Sequence, residues 1–296
     1  MVARPRRSVL YMPGSNPKAV AKARTLAADA IIIDLEDSVA PDAKLAARAL
    51  AVEAVRSGGF GGREVVIRVN GAHTPWGADD LSAAIAAAPD AILLPKVDGP
   101  GAIMVAARAL REANAPPTVR LWAMMETPMA ILSAGSIAAT AADPEARLET
   151  LVMGLNDLAK ETRARFTPGR TALTAWLAVC VAAARAHGCD IVDGVYNDIA
   201  DLAGFRTECE QGRDLGLDGK TLIHPSQLEI CNEVFAPSPT EIDSARAIIA
   251  AFELPENAGK GVIQLNGKMV ERLHADMARR TLAIAAGIAA LTATTG

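Results

Sequence analysis

Polar residues that could do chemistry recur in one setting, just after a short apolar run. Such runs end in Asp34-Leu35-Glu36-Asp37, Arg68-Val69-Asn70, Pro95-Lys96, Glu126-Thr127-Pro128, Gly154-Leu155-Asn156-Asp157, near Asp193, and in His224-Pro225. One charge after a strand is an ordinary cap or a solvated group, whereas a repeated series points to a shared site. Glu126 and Asp157 are the candidate metal ligands, because two carboxylates with room left for water and substrate suit a hard cation such as Mg2+. Zinc fits less well, since no His or Cys has ligand spacing. The competing reading makes Asp157 the N-cap of the next helix and Glu126 an ion-pair partner. Glu36 and Asp37 read as catalytic carboxylates beside the metal rather than as further ligands, because four acids on one cation would concentrate too much negative charge. Arg68 offers a planar fork for a carboxylate or for a carbonyl oxygen that becomes an enolate, and it can also bridge to Glu36 or Asp37. Lys96 at a strand end could form a Schiff base with a keto substrate. That reading ranks behind an electrostatic or ion-pair role, because the carboxylate pair argues for metal stabilisation of an enolate. Together with Asn70, Arg68 and Lys96 are the candidate substrate contacts.

These residues need a scaffold that brings strand ends together. The sequence alternates apolar or β-branched runs with Ala-rich stretches of helical period. Strand 8–12 precedes a helix over 17–27, 30–35 precedes 42–57, 64–69 precedes 76–88, and 91–94 precedes 99–112. In the second half, 120–125 precedes 128–141, 148–153 precedes a longer helical region ending near His187, 191–195 precedes 199–215, and 220–223 precedes 225–234. Near-continuous apolar strands alternating with helices predict a parallel sheet covered on both sides, and eight units give an α/β fold of the (β/α)8 TIM-barrel type. A doubly wound sheet is the weaker choice, because no Gly-rich dinucleotide fingerprint follows the first strand. The barrel is assigned to residues 1–236. Residues 237–296 form a C-terminal extension with a helix over 241–252, a short strand over 262–265 and a last helix over 270–291. It looks too small for its own core, so it is expected to act as a lid or an intersubunit arm, packed on the barrel or on a neighbouring subunit.

Of 296 residues 51% are hydrophobic, which is enough for a large core and excludes widespread disorder. Thirty Lys and Arg against 34 Asp and Glu give a net charge of −4, so nucleic acid is not an expected partner. No apolar run approaches the roughly 20 residues a bilayer demands, and no export signal is read at the N-terminus. The four cysteines form no CxxC pair and read as reduced packing residues in a cytoplasmic protein.

An ordered set of motifs carries a resemblance: RSVLYMPGSN at 7–16, DLED at 34–37, RVN at 68–70, Pro95-Lys96, Glu126-Thr127-Pro128, GLNDLA at 154–159 and GKTLIHPSQ at 219–227. The chain resembles the citrate lyase beta-subunit-like branch of the HpcH/HpaI aldolase superfamily, which includes malyl-CoA, β-methylmalyl-CoA and citramalyl-CoA lyases. The resemblance implies a Mg2+-dependent carbon–carbon lyase of retro-aldol or Claisen type. It would act on a short 3-hydroxyacyl thioester and release an acyl-CoA and a 2-oxo acid. It places Mg2+ on Glu126 and Asp157, the enolate oxygen on Arg68, and the CoA-facing segment at 13–22. Within that segment Lys18 and Lys22 are either phosphate contacts or solvated charges. Homo-oligomers, trimers or hexamers, are implied as well. One departure stands out. Related tails read roughly GKM(V/I)D, with the Asp reaching a neighbouring subunit's site as an acid/base group, whereas here Gly267-Lys268-Met269-Val270 is followed by Glu271. The added methylene moves the carboxylate by about 1 Å, a displacement that can cost about 100-fold. It leaves three alternatives to the lyase: a malyl-CoA thioesterase, a partner-dependent subunit acting on a citryl-acyl-carrier-protein thioester, and a retired enzyme that binds CoA or a dicarboxylate.

Overall fold

In the computed structural model, which describes residues 4–295, the apolar runs form a closed barrel of parallel strands. These are β1 (Ser8–Pro13), β2 (Ala30–Asp34), β3 (Glu64–Arg68), β4 (Ala91–Leu94), β5 (Arg120–Met125), β6 (Leu148–Met153), β7 (Asp190–Asp193) and β8 (Gly219–Leu222). Each strand pairs with the next, and β8 closes the circle on β1 through Ser8 and Lys220. The outer layer is α1 (Pro17–Ala23), α2 (Lys44–Ser57), α3 (Gly77–Ala87), α4 (Pro100–Glu112), α5 (Pro128–Leu132), α6 (Ala134–Ala139), α7 (Leu155–Thr162), α8 (Thr171–His187), α9 (Leu202–Asp214) and α10 (Leu228–Phe235). The strand pleat sorts the side chains: Ile32, Val66, Leu93, Trp122 and Val192 cluster on one face, while Ile31, Ile33, Ile67 and Ile92 pack against the helices. Arg6 neutralises Glu64, Glu149 and Asp190 at 2.8, 2.7 and 2.5 Å and lies over the Trp122 ring, so buried charge is matched at the strand starts.

Residues 6–235 form one compact unit and residues 236–295, with 4–5, form another. The second contains α11 (Pro239–Glu253), β9 (Val262–Leu265), β10 (Lys268–Glu271) and α12 (Arg272–Thr295). Two expectations fail here. The unit has a small core of its own, with Ala251, Ile263 and Val270 buried against Ile248, Phe252 and Leu265. Residues 270 and 271, expected to open the last helix, instead end the strand β10 (Lys268–Glu271), so Glu271 ends a hairpin strand. The cause is Asn266-Gly267, both at positive φ (50° and 78°), which makes the tight turn that pairs Leu265 with Lys268. In the barrel, the helices expected over 128–141 and from β6 to His187 are each divided, the first at Ser133 and the second by residues 163–170, where Arg163, Gly169 and Arg170 adopt positive φ. Among the described residues no helix is long and apolar enough to cross a membrane.

Candidate functional site

At the C-terminal ends of the strands, Tyr11, Asp34, Arg68, Glu126 and Asp157 line one cavity of about 280 Å3. Glu126 follows β5 and is 1% exposed. Its Oε1 accepts the backbone N–H of Lys96 at 2.7 Å, an approach that Lys96 achieves with a left-handed backbone (φ 51°). The Lys96 Nζ sits 2.7 Å from Asp157 Oδ2 and 3.8 Å from Glu126 Oε1, so both carboxylates face one positive charge. Asp157 is in the first turn of α7, where the N-cap is Gly154, so the N-cap reading is wrong while the ion-pair reading of Glu126 describes its contact with Lys96. Gly154 itself was missed by the sequence reading. A Cβ at that position would overlap the Glu126 side chain, so only glycine lets β6 pass so close to that carboxylate.

Burial pushes the Glu126 carboxyl up to about 7, against the downward pull of Lys96 and Arg68. Burial alone would pull the Lys96 ammonium down, but the contacts with Asp157 and Glu126 leave it above the usual lysine value. A lysine held protonated in this way is a poor Schiff-base nucleophile.

The opposite wall is built on Arg68. Asp34, which the sequence reading passed over, takes the fork with two bonds, Nε to Oδ1 at 2.6 Å and Nη2 to Oδ2 at 2.8 Å. The two residues are register partners on β2 and β3, so the pairing follows from the sheet itself. Nη1 faces Glu36 at 2.9 Å, although without the alignment of a hydrogen bond, and Asp37 at 3.3 Å. The guanidinium lies over the Tyr11 ring, 4.9 Å from its centre. Burial raises Asp34, but Arg68 more than offsets it and holds that carboxyl below the usual range. Glu36 goes the other way: burial lifts it to about 8, with Glu126, Asp37 and Asp34 adding to the rise against Arg68. A carboxyl raised from 4.5 to about 8 contributes stability that is present below 4.5 and lost as pH rises through 8. Glu36→Gln is therefore expected to raise the metal-free Tm at pH 8 by about 2–4 °C, with no gain at pH 4, as measured by calorimetry.

The other predicted residues have contacts of their own. Asn70 is buried with its amide N–H donating to Leu35 O at 2.8 Å and to Asp80 at 2.5 Å, so that donor fixes the loop after β2. Lys18 and Lys22 are exposed on α1. Glu271 belongs to the other compact unit, where its backbone N–H bonds His274 Nδ1 at 2.9 Å. Asp193 is buried between Arg170 (2.7 Å) and Lys220 (3.0 Å), and His224 caps the turn before α10.

Glu126 and Asp157 are the pair that could hold a hard cation: an oxygen of each faces the one point where the Lys96 ammonium sits, 3.8 Å from Glu126 and 2.7 Å from Asp157. Among the described residues no group of three or more His, Cys, Asp or Glu could hold a metal. Mg2+ keeps several waters and takes one or two protein carboxylates.

Residues 7–225 match the family described as HpcH/HpaI aldolase/citrate lyase. The chain is 53% identical to a (3S)-malyl-CoA thioesterase of Cereibacter sphaeroides (strain KD131 / KCTC 12085), covering 98% of both chains. It is 35% identical to citrate lyase subunit beta of Escherichia coli (strain K12), covering 94% of this chain and 93% of that one. Among solved structures it resembles CitE of Mycobacterium tuberculosis in complex with magnesium, acetoacetate and coenzyme A. That likeness has a TM-score of 0.75 at 28% identity, covering 97% of this chain and all of that one.

Proposed function

We propose that this chain, which belongs to the HpcH/HpaI aldolase/citrate lyase family, hydrolyses a short 3-hydroxyacyl-CoA of the malyl type with the help of Mg2+ held by Glu126 and Asp157. The 53% identity to thioesterases over 98% of both chains carries the choice of hydrolysis over carbon–carbon cleavage. It reverses the order drawn from the motifs, which put the lyase first. The lyase is the second reading, supported by the likeness to citrate lyase subunit beta.

When bound, Mg2+ supplies Lewis-acid stabilisation of anionic substrate oxygens. The protein's residues do the rest. Asp34 fixes the planar fork of Arg68 through Nε and Nη2, which leaves Nη1, facing Glu36 and Asp37, as the group that donates to the thioester oxygen as charge develops there. Glu36, whose carboxyl burial raises to about 8 in the metal-free protein, accepts the proton of the attacking water from its ionised form. The water oxygen bonds the acyl carbon, the C–S bond breaks, and the proton leaves with the CoA thiol. Glu271 is a second proton acceptor proposed on resemblance, Lys18 and Lys22 are proposed contacts for the CoA phosphates, and a trimer or hexamer is the proposed assembly.

Product analysis decides between the readings. With (3S)-malyl-CoA and Mg2+, free CoA thiol and malate are expected in equal amounts. Acetyl-CoA and glyoxylate without free thiol would establish the lyase instead.

A further inference from the structure

The point on which Glu126 and Asp157 converge already carries a positive charge. Lys96 Nζ is 2.7 Å from Asp157 Oδ2 and 3.8 Å from Glu126 Oε1, an ion-pair contact to both acids. Its backbone does a separate job. The left-handed turn at Lys96 aims its N–H at Glu126 Oε1, so Glu126 stays anchored wherever the Lys96 side chain goes. A recess of about 520 Å3, lined by Lys96 together with His73, Asp98, Thr127 and Glu161, gives the stem somewhere to go and offers the Glu161 carboxylate. A divalent ion bound by both acids cannot share their focus with an ammonium, because like charges at about 4 Å repel strongly in a partly buried site.

We propose that Lys96 is a displaceable placeholder cation, which neutralises the Glu126–Asp157 pair until a divalent ion takes the same point and the side chain swings into the recess. Two acids at the mouth of a buried barrel are thereby never left uncompensated, a condition that would otherwise be strongly destabilising. The cost falls on metal affinity, since each binding event must first move the lysine. This inference rests on the reading that Glu126 and Asp157 are the metal ligands.

The test measures metal binding without turnover. Free Mn2+ is followed by electron paramagnetic resonance during titration of the parent chain, Lys96→Met, Lys96→Gln and Glu126→Gln. The Lys96 variants are expected to bind Mn2+ at least ~10-fold more tightly than the parent, and Glu126→Gln to lose binding. Unchanged or weaker binding in the Lys96 variants overturns the placeholder and leaves the metal reading standing, because a lysine that only braces Glu126 would weaken the site when lost. Absence of Mn2+ binding in the parent overturns both. A second measurement needs no variant. Acetylation of Lys96 by acetic anhydride, read by peptide mass spectrometry against the exposed Lys160, is expected to run several-fold faster at saturating Mg2+. An unchanged or slower rate overturns the displacement.

Discussion

Glu126→Gln is expected to lower kcat/KM for malyl-CoA by about 1,000-fold or more, equivalent to ~4 kcal/mol of transition-state stabilisation, while the barrel stays folded. The amide keeps the shape and can still accept the Lys96 N–H that Glu126 Oε1 now takes at 2.7 Å, so the strand end is not disturbed. What it removes is the negative charge needed for a cation. Stability moves the other way. The Glu126 carboxyl, raised from 4.5 to about 7, stabilises the fold below 4.5, and that contribution is lost as pH rises through 7. The metal-free variant is therefore expected to melt above the metal-free parent at pH 8 and level with it at pH 4. Loss of activity together with a gain in Tm distinguishes removal of a functional charge from damage to the fold. A variant as active as the parent would remove Glu126 from the mechanism.

The second large effect is on folding. Arg68→Met is expected to destabilise the chain by about 3–5 kcal/mol, because it leaves Asp34, 1% exposed, without the two bonds that neutralise it, and strips Glu36 of its cation. For a barrel of this size that corresponds to a fall in Tm of roughly 6–20 °C. Urea unfolding checks it as a lower midpoint at unchanged slope. Adding Asp34→Asn is expected to recover part of the loss, since the orphaned carboxylate disappears with it. A fall below ~1 kcal/mol would mean that Arg68 is free for substrate rather than committed to its carboxylates.

The barrel was legible because each strand is buried on both faces. The AIII run at 30–33 therefore reads as a continuous apolar segment, and punctuation by Pro, Gly and acids marks where it stops. The candidate metal pair was legible for a related reason, since polar residues at the ends of adjacent barrel strands must converge. The partner of Arg68 was not. DLED offers three carboxylates within four residues, and only the register that sets Asp34 beside Arg68 selects one, leaving Glu36 and Asp37 in the loop. The position of Lys96 depends on a left-handed backbone at a lysine, for which the sequence carries no signal. The hairpin before α12 was readable in Asn266-Gly267, but the helix-like stretch after it masked the turn. The choice between hydrolysis and carbon–carbon cleavage is not encoded in a list of residue types, because reacting groups must be placed to within about 1 Å.

The most direct question is whether Glu126 and Asp157 together hold one divalent cation in the barrel mouth. Anomalous diffraction at the manganese edge, from crystals of the parent chain soaked in Mn2+, measures this directly. The expected result is a single strong peak within about 2.3 Å of one oxygen of Glu126 and one of Asp157, absent in Glu126→Gln crystals. A peak on other residues, or no peak at Mn2+ concentrations that support turnover, would contradict it.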